Sequence, residues 1–176
     1  MSKKVIRFGL GEIDRAIKEV QQYKTEFLKK VDIYRKRLAE EIATLASQGF
    51  ASSTVDDVIH GGSPRKADVQ VSVSDKGTVS VVVADGEDAV WCEFGAGVYH
   101  NGSVGSSPNP YGNDLGFTIG SYGKGYGKGQ AWGYYTDPTS KTGLVITRGT
   151  PATMPMYNAA QEVLRKSVEI AREVWN

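Results

Sequence analysis

Two histidines, one cysteine, a short run of carboxylates and a glycine loop studded with lysine and tyrosine are the side chains that could do chemistry here. His60 and His100 are the only histidines available as a general base. His60 falls in a polar stretch, His100 opens a glycine-rich one, and neither lies in a nucleophile motif such as G-x-S-x-G. Cys92 stands close to Trp91 and Phe94 with no basic neighbour in sequence, which describes a small packed side chain rather than an activated thiolate. Two histidines and one cysteine cannot assemble the usual zinc sites. The carboxylates Asp85, Glu87, Asp88 and Glu93 lack the D-x-D-x-D spacing and the terminal glutamate of a calcium loop, so they read as a solvated turn. A carboxylate pair for glycoside hydrolysis is defined by distance in space, and the sequence leaves it open.

The glycine run at residues 123–129 invites a phosphate-binding reading. Lys124 and Lys128 have neither a glycine six residues earlier nor the Ser or Thr immediately after that a phosphate loop needs, and G-x-G-x-x-G is not matched. What remains is Tyr122, Lys124, Tyr126 and Lys128 between glycines, a pattern able to stack on bases and touch phosphates. Four such residues in a chain of net charge +1 are a small electrostatic footprint, and a protein-facing loop is the simpler reading.

The elements that must position these residues belong to a chain of 176 residues, one domain's worth. Hydrophobic content of 40% and charged content of 23% are those of a chain with a core. Residues 1–50 lean basic, with 11 basic and 7 acidic groups, and the rest is balanced or slightly acidic. The single cysteine excludes a disulfide scaffold. The N-terminus has no apolar h-region, so no secretion signal is expected. No apolar run nears the ~20 residues that cross a bilayer, so no membrane association is expected.

Ile13, Ile17, Val20, Phe27, Val31, Tyr34, Leu38, Ile42 and Leu45 recur at steps of three and four or their sum, which predicts one long helix within residues 1–50, with Gly49 as its C′ residue. About 35 residues would span about 50 Å, longer than a compact domain of this size, so part of the helix protrudes, kinks or packs on something else. A brief helix capped near residues 52–57 is possible by pattern. Residues 66–97 carry a β-hairpin, with Val69, Val71 and Val73 sharing a face with Val79, Val81 and Val83 and a turn at residues 75–77. The second strand is expected to be the more interior. Residues 87–94 fit either a helical turn or a strand.

Fourteen of the 21 glycines lie between Gly95 and Gly149. Residues 98–142 form an insertion whose aromatics, Tyr111, Phe117, Tyr122, Tyr126, Trp132, Tyr134 and Tyr135, are unusual for a solvated linker. Strands at residues 131–136 and 144–148 are expected to return it to the sheet. In residues 143–176 a last helix starts near Pro155, with Met156, Ala160, Val163, Ile170 and Val174 on its apolar face. The expected class is α+β: a long N-terminal and a C-terminal helix on a mostly antiparallel sheet, in one domain of 1–176.

Two motifs together are specific. Trp91-Cys92-Glu93-Phe94-Gly95-Ala96-Gly97 is followed by an insertion containing Trp132-Gly133-Tyr134. Then comes Thr147-Arg148-Gly149-Thr150-Pro151-Ala152-Thr153-Met154-Pro155-Met156. The chain resembles the minor tail-component family of tailed bacteriophages, in which an aromatic E-[FY]-G-T box precedes a variable insertion and a G-x-P-A-x-P-F segment opens the last helix. Ala96 stands where that pattern has threonine, and Met154-Pro155-Met156 replaces proline followed by phenylalanine. The long helix and valine hairpin fit the same order, so the resemblance covers nearly the whole chain.

The resemblance implies a head-to-tail connector or tail-completion protein of the virion, made in the bacterial cytoplasm and forming a ring, commonly of six copies. Its implied neighbours are connector or head-completion proteins on one side and tail terminator or tail tube proteins on the other, with possible contact to genomic DNA in the channel. It implies no enzymatic activity and no cofactor. Glu93, Phe94, Gly95, Gly97, Gly149, Pro151 and Pro155 become the structural motif. Glu93 reads either as an ordinary exposed acid or as a hydrogen-bonding anchor for backbone at the box. Tyr122, Lys124, Tyr126, Lys128, Trp132 and Tyr134 become either a packed mini-sheet or a contact to a partner. The alternatives are a virion-associated nucleic-acid-binding protein and a cell-wall hydrolase.

Overall fold

A computed structural model describes residues 9–98, 107–112, 114–115 and 129–176. Tyr122, Lys124, Tyr126 and Lys128, together with His100, lie outside the described residues. The fold is α+β.

Helix α1 runs Leu10–Ser52, 43 residues or about 65 Å, against about 40 Å expected for the diameter of a compact chain of this size. It ends because Ser53 turns extended, at φ −70° and ψ 144°, while its amide still donates to the carbonyls of Gly49 and Phe50. Gly49 therefore lies inside the helix and is not its C′ residue. Its reason is a close crossing: a Cβ there would stand 2.9 Å from Cβ of Pro155.

Pro155 begins α3, Pro155–Trp175. This helix runs back along α1 in the opposite sense, so that Pro155 meets Gly49, the Tyr34 hydroxyl donates to the Ser167 carbonyl (3.2 Å), and Trp175 meets Phe27 and Tyr34. The buried side chains of α3 are Pro155, Ala159, Val163 and Ile170. Ala160, expected inside, is exposed. Small and branched residues at 159 and 163 let the axes approach, and the interface follows that row rather than the one through Ala160.

The expected helix at residues 52–57 is replaced by strands. β1 (Thr54–Val55) pairs antiparallel with β3 (Arg65–Lys66). β2 (Val58–His60) is the edge of a three-stranded antiparallel sheet, with β7 (Thr142–Thr147) in the centre and β6 (Trp132–Asp137) on the far side. The two return strands expected after the insertion are present. They close on β2 and not on the valine hairpin, so the described residues form three small sheets in place of one.

The hairpin is β4 (Gln70–Asp75) and β5 (Ser80–Asp85), and β5 is the more buried strand. Its register corrects the expected faces. Val71 pairs with Ala84, Val73 with Val82 and Ser72 with Val83, because the loop spans four residues and is closed by the Lys76 amide on the Val79 carbonyl (2.8 Å). A one-residue slip turns a strand over. Val82 and Ala84 thus share the face of Val71 and Val73, while Val81 and Val83 share the face of Ser72 and Ser74.

Residues 87–94 resolve as helix α2, Glu87–Phe94. Ala89 and Cys92 of this helix join Ala46, Phe50, Val55 and Ala159 in the core, with Val69, Val71, Ala84 and Met156 packed around them. The core thus sits at the C-terminal end of α1. Further back along α1, Ile13, Ile17, Val20, Phe27 and Leu28 are exposed.

Candidate functional site

The two sequence motifs meet in space. Ala96 and Thr150 exchange backbone hydrogen bonds, Ala96 N to Thr150 O at 2.8 Å and Thr150 N to Ala96 O at 2.7 Å. The carbonyl of Cys92 accepts from the amides of Thr153 and Met154 at 2.8 and 3.0 Å. Gly149 has φ +88°, and a Cβ there would stand 2.4 Å from the Ala96 carbonyl oxygen, so no side chain fits between the two segments. Gly95 and Gly97 also have positive φ, as expected of the box. Gly97 lies beneath Trp132, whose indole nitrogen donates to its carbonyl at 2.9 Å. Pro151 is exposed, Pro155 is buried at the head of α3, and the Phe94 carbonyl accepts from the Ser107 hydroxyl at 2.7 Å.

Glu93 is the centre of this joint. Met154, the residue before α3, sits in the left-handed region at φ 54° and has no side-chain oxygen to cap the helix. Glu93 supplies the missing acceptor from α2. Its Oε2 accepts from the Met156 amide (2.9 Å) and its Oε1 from the Tyr157 amide (3.0 Å) and from Asn109 Nδ2 (2.8 Å). A carboxylate at a helix N-terminus also meets the positive end of the helix dipole. Glu93 is 9% exposed. Burial pushes its carboxyl pKa above the usual value, against the opposing pull of these three donors. The anchor reading is therefore the observed one, with the anchored backbone that of α3.

Asp88 is 3% exposed and was read from sequence as part of a solvated turn. Instead it accepts a two-pronged bond from Arg65 on β3 and a further one from the Asp68 amide (2.9 Å). The Arg65 guanidinium holds its carboxyl below the ordinary carboxylate range despite burial. Asp56, with φ 63°, accepts from the Tyr134 hydroxyl (2.7 Å) and from the Thr147 hydroxyl, and its amide donates to Thr150 Oγ1 (3.0 Å). The bond to Asp56 pushes the Tyr134 hydroxyl up to about 12. These groups border an open cavity of about 410 Å³ walled by Trp91, Trp132 and Tyr134, with Arg65, Asp56 and Asp88 on its polar side.

What this arrangement does chemically is fasten segments. Both sharp carboxylates, Glu93 and Asp88, are engaged by fixed donors. Cys92 is buried and its thiol is pushed up, chiefly by burial. His60 is exposed on the edge strand. Among the described residues, no group of three or more His, Cys, Asp or Glu is placed to hold a metal ion, and no helix is long and apolar enough to cross a membrane. Trp132 and Tyr134 pack in the small sheet, as one of the two sequence readings has it, and each makes a defined bond within the chain, while Tyr134 stays partly exposed. Sequence reasoning missed Arg65, Asp56 and Asn109, because their partners lie 23, 78 and 16 residues away and form no local pattern. The uncapped start of α3, with methionine where Ser, Thr, Asp or Asn is usual, was the one available signal that a distant acid had to serve.

No protein family, curated protein or solved structure matches the chain.

Proposed function

We propose that this chain is a structural subunit of a tailed-bacteriophage neck, a head-to-tail connector or tail-completion protein that closes into a ring. The observation that carries the reading is the free length of α1. Trp175, the last residue of α3, sits beside Phe27 and Lys30, and the helix continues beyond it toward Leu10 with Ile13, Ile17 and Val20 exposed. Apolar rows on a protruding helix are surface that a neighbour covers. The two-motif resemblance gives that neighbour its identity, namely further copies of the chain, on its pattern six, and the connector and tail proteins above and below.

The rival readings have less support. A hydrolase needs a carboxylate free to trade a proton with substrate, and Asp88 and Glu93 are each held by two or more donors. A nucleic-acid surface needs clustered cations free to meet phosphates, and in the Arg35-Lys36-Arg37 run of α1 each cation is paired with an acid, Arg35 and Lys36 with Asp32 and Asp75 and Arg37 with Glu173. The reading calls for no catalytic residue and no cofactor. Quantitative mass spectrometry of purified virions tests it: a few copies per particle, of the order of one ring, are expected. A chain wholly missing from virions would rule the reading out.

A further inference from the structure

Asp56 is held in a conformation that residues with a side chain rarely adopt. Its φ of 63° lies in the left-handed region, and its partners fix it there. The amide donates to Thr150 Oγ1 (3.0 Å), and the carbonyl accepts from the Val58 amide (2.8 Å). The carboxylate accepts from the Tyr134 hydroxyl on Oδ2 (2.7 Å) and from the Thr147 hydroxyl on Oδ1. Backbone kept in a sparsely populated region by its surroundings gathers at sites where a side chain has to be presented in one orientation. Here the carboxylate borders the open cavity of about 410 Å³.

Charge around that cavity does not balance. Arg65, the one cation among the described residues on its wall, spends both terminal nitrogens on Asp88, and that pair is neutral. Asp56 is bonded only to hydroxyls, while the nearby Arg148 goes to Asp57 instead. Each Asp56 oxygen holds one donor and has room for a second. The wall therefore keeps one negative charge with no cation bonded to it among the described residues.

The rest of the cavity is largely aromatic. Trp132 and Tyr134 alternate along β6 and share a face, with ring centroids 5.7 Å apart, and Trp91 comes from α2. Ring faces are negative, so a cation set against them beside a carboxylate is attracted by both. An anion would be repelled, and an apolar group would cover the carboxylate without supplying a partner. Among cations, a guanidinium fits best. Its planar fork matches two oxygens that each have a free site, it stacks on aromatic rings, and it is more weakly hydrated than an ammonium. The volume lies within the ~300–1,000 Å³ of ligand sites.

We propose that this cavity binds an arginine side chain presented by a partner protein, the guanidinium bridging both oxygens of Asp56 and lying against the aromatic wall of Trp132 and Tyr134. The site is independent of the neck reading and stands or falls on its own measurement. A second copy of this chain is the poorer source of the arginine. Arg35, Arg37, Arg65, Arg148 and Arg165 each already hold an acid, which leaves only Arg15 and Arg172 among the described residues.

The test is a titration of the full-length protein with N-acetyl-arginine amide, followed by NMR through the three indole N–H signals. Trp91 and Trp132 line the cavity, and Trp175, packed on Phe27 and Tyr34, is the internal control. The expected result is a saturable shift of the Trp91 and Trp132 signals with Trp175 unmoved, and a Kd of the order of 1–10 mM for the residue without its flanking protein. N-acetyl-citrulline amide, the neutral isostere, should bind about tenfold more weakly or worse, with nothing changed in the protein. Asp56→Asn should weaken arginine binding by a similar factor. Asparagine tolerates the left-handed region and keeps an acceptor, and circular dichroism checks the fold. No shift of Trp91 and Trp132 up to about 50 mM, equal binding of the citrulline probe, or full binding by Asp56→Asn would overturn the site. Self-association of the chain that the arginine probe reverses would overturn the choice of partner in favour of a second copy.

Discussion

Replacing Glu93 by Gln changes two atoms of charge distribution and almost no volume, yet it strikes the joint at its narrowest point. Three donors converge on the two carboxylate oxygens: the Met156 amide on Oε2, and the Tyr157 amide and Asn109 Nδ2 on Oε1. Glutamine keeps one oxygen. Set in the Oε1 position it satisfies Tyr157 and Asn109, and its amide nitrogen then faces the Met156 N–H, donor against donor. A buried donor left unsatisfied costs about 1–3 kcal/mol. Removing a buried charge returns part of this, since burial already opposes ionisation of Glu93. The net expectation is a loss of about 1–2 kcal/mol for Glu93→Gln. For Glu93→Ala, which strands all three donors, it is about 3–5 kcal/mol. Urea unfolding followed by tryptophan fluorescence at neutral pH reads both. With a slope of about 2 kcal/mol per molar urea, the glutamine variant should lower the midpoint by about 0.5–1 M. A glutamine midpoint at the wild-type value, or an alanine variant no worse than the glutamine one, would refute the capping role.

Other consequences follow from the same geometry. Gly49→Ala should destabilise the fold by about 1–3 kcal/mol in thermal unfolding, because the added Cβ meets Pro155; a gain of about 1 kcal/mol would mean that helix propensity alone governs the site. Asp88→Asn should cost about 2–4 kcal/mol at pH 7 by breaking the buried side of its pair with Arg65. The folded-state pKa of Asp88 is lowered from 3.8, so its stabilisation is complete above the unfolded value and is lost as pH falls through the folded one. Acid titration should therefore narrow the gap between wild type and Asp88→Asn as the pH falls below about 4, and a constant gap would contradict the pairing. In ultraviolet difference titration one tyrosine should ionise only near pH 12, a step that Tyr134→Phe removes.

The two ends of the chain were legible because their signals are local. The spacing of Ile13 through Leu45 specifies α1, and Pro155 before a periodic run specifies α3. The motif glycines were legible too, since only Gly at 149 tolerates the approach of the Ala96 carbonyl. Gly49 misled because its cause is tertiary: a helix-terminating residue and a residue that admits a neighbouring proline look the same in one dimension. The hairpin faces misled because one extra loop residue inverts a strand, and alternating valines on both strands fit either register. Asp88 was misread as solvated for a related reason, since Arg65 and the Asp68 amide reach it from residues with no spacing rule. Of the two sharp acids only Glu93 could be suspected, through its place in the box.

The measurement that tests the central claim most directly is electron microscopy of lysates from a phage or prophage lacking this gene, with joined and unjoined particles counted. The account predicts filled heads and separate tails, rejoined when the full-length chain is supplied. Intact, normally joined virions in the absence of the gene would contradict it.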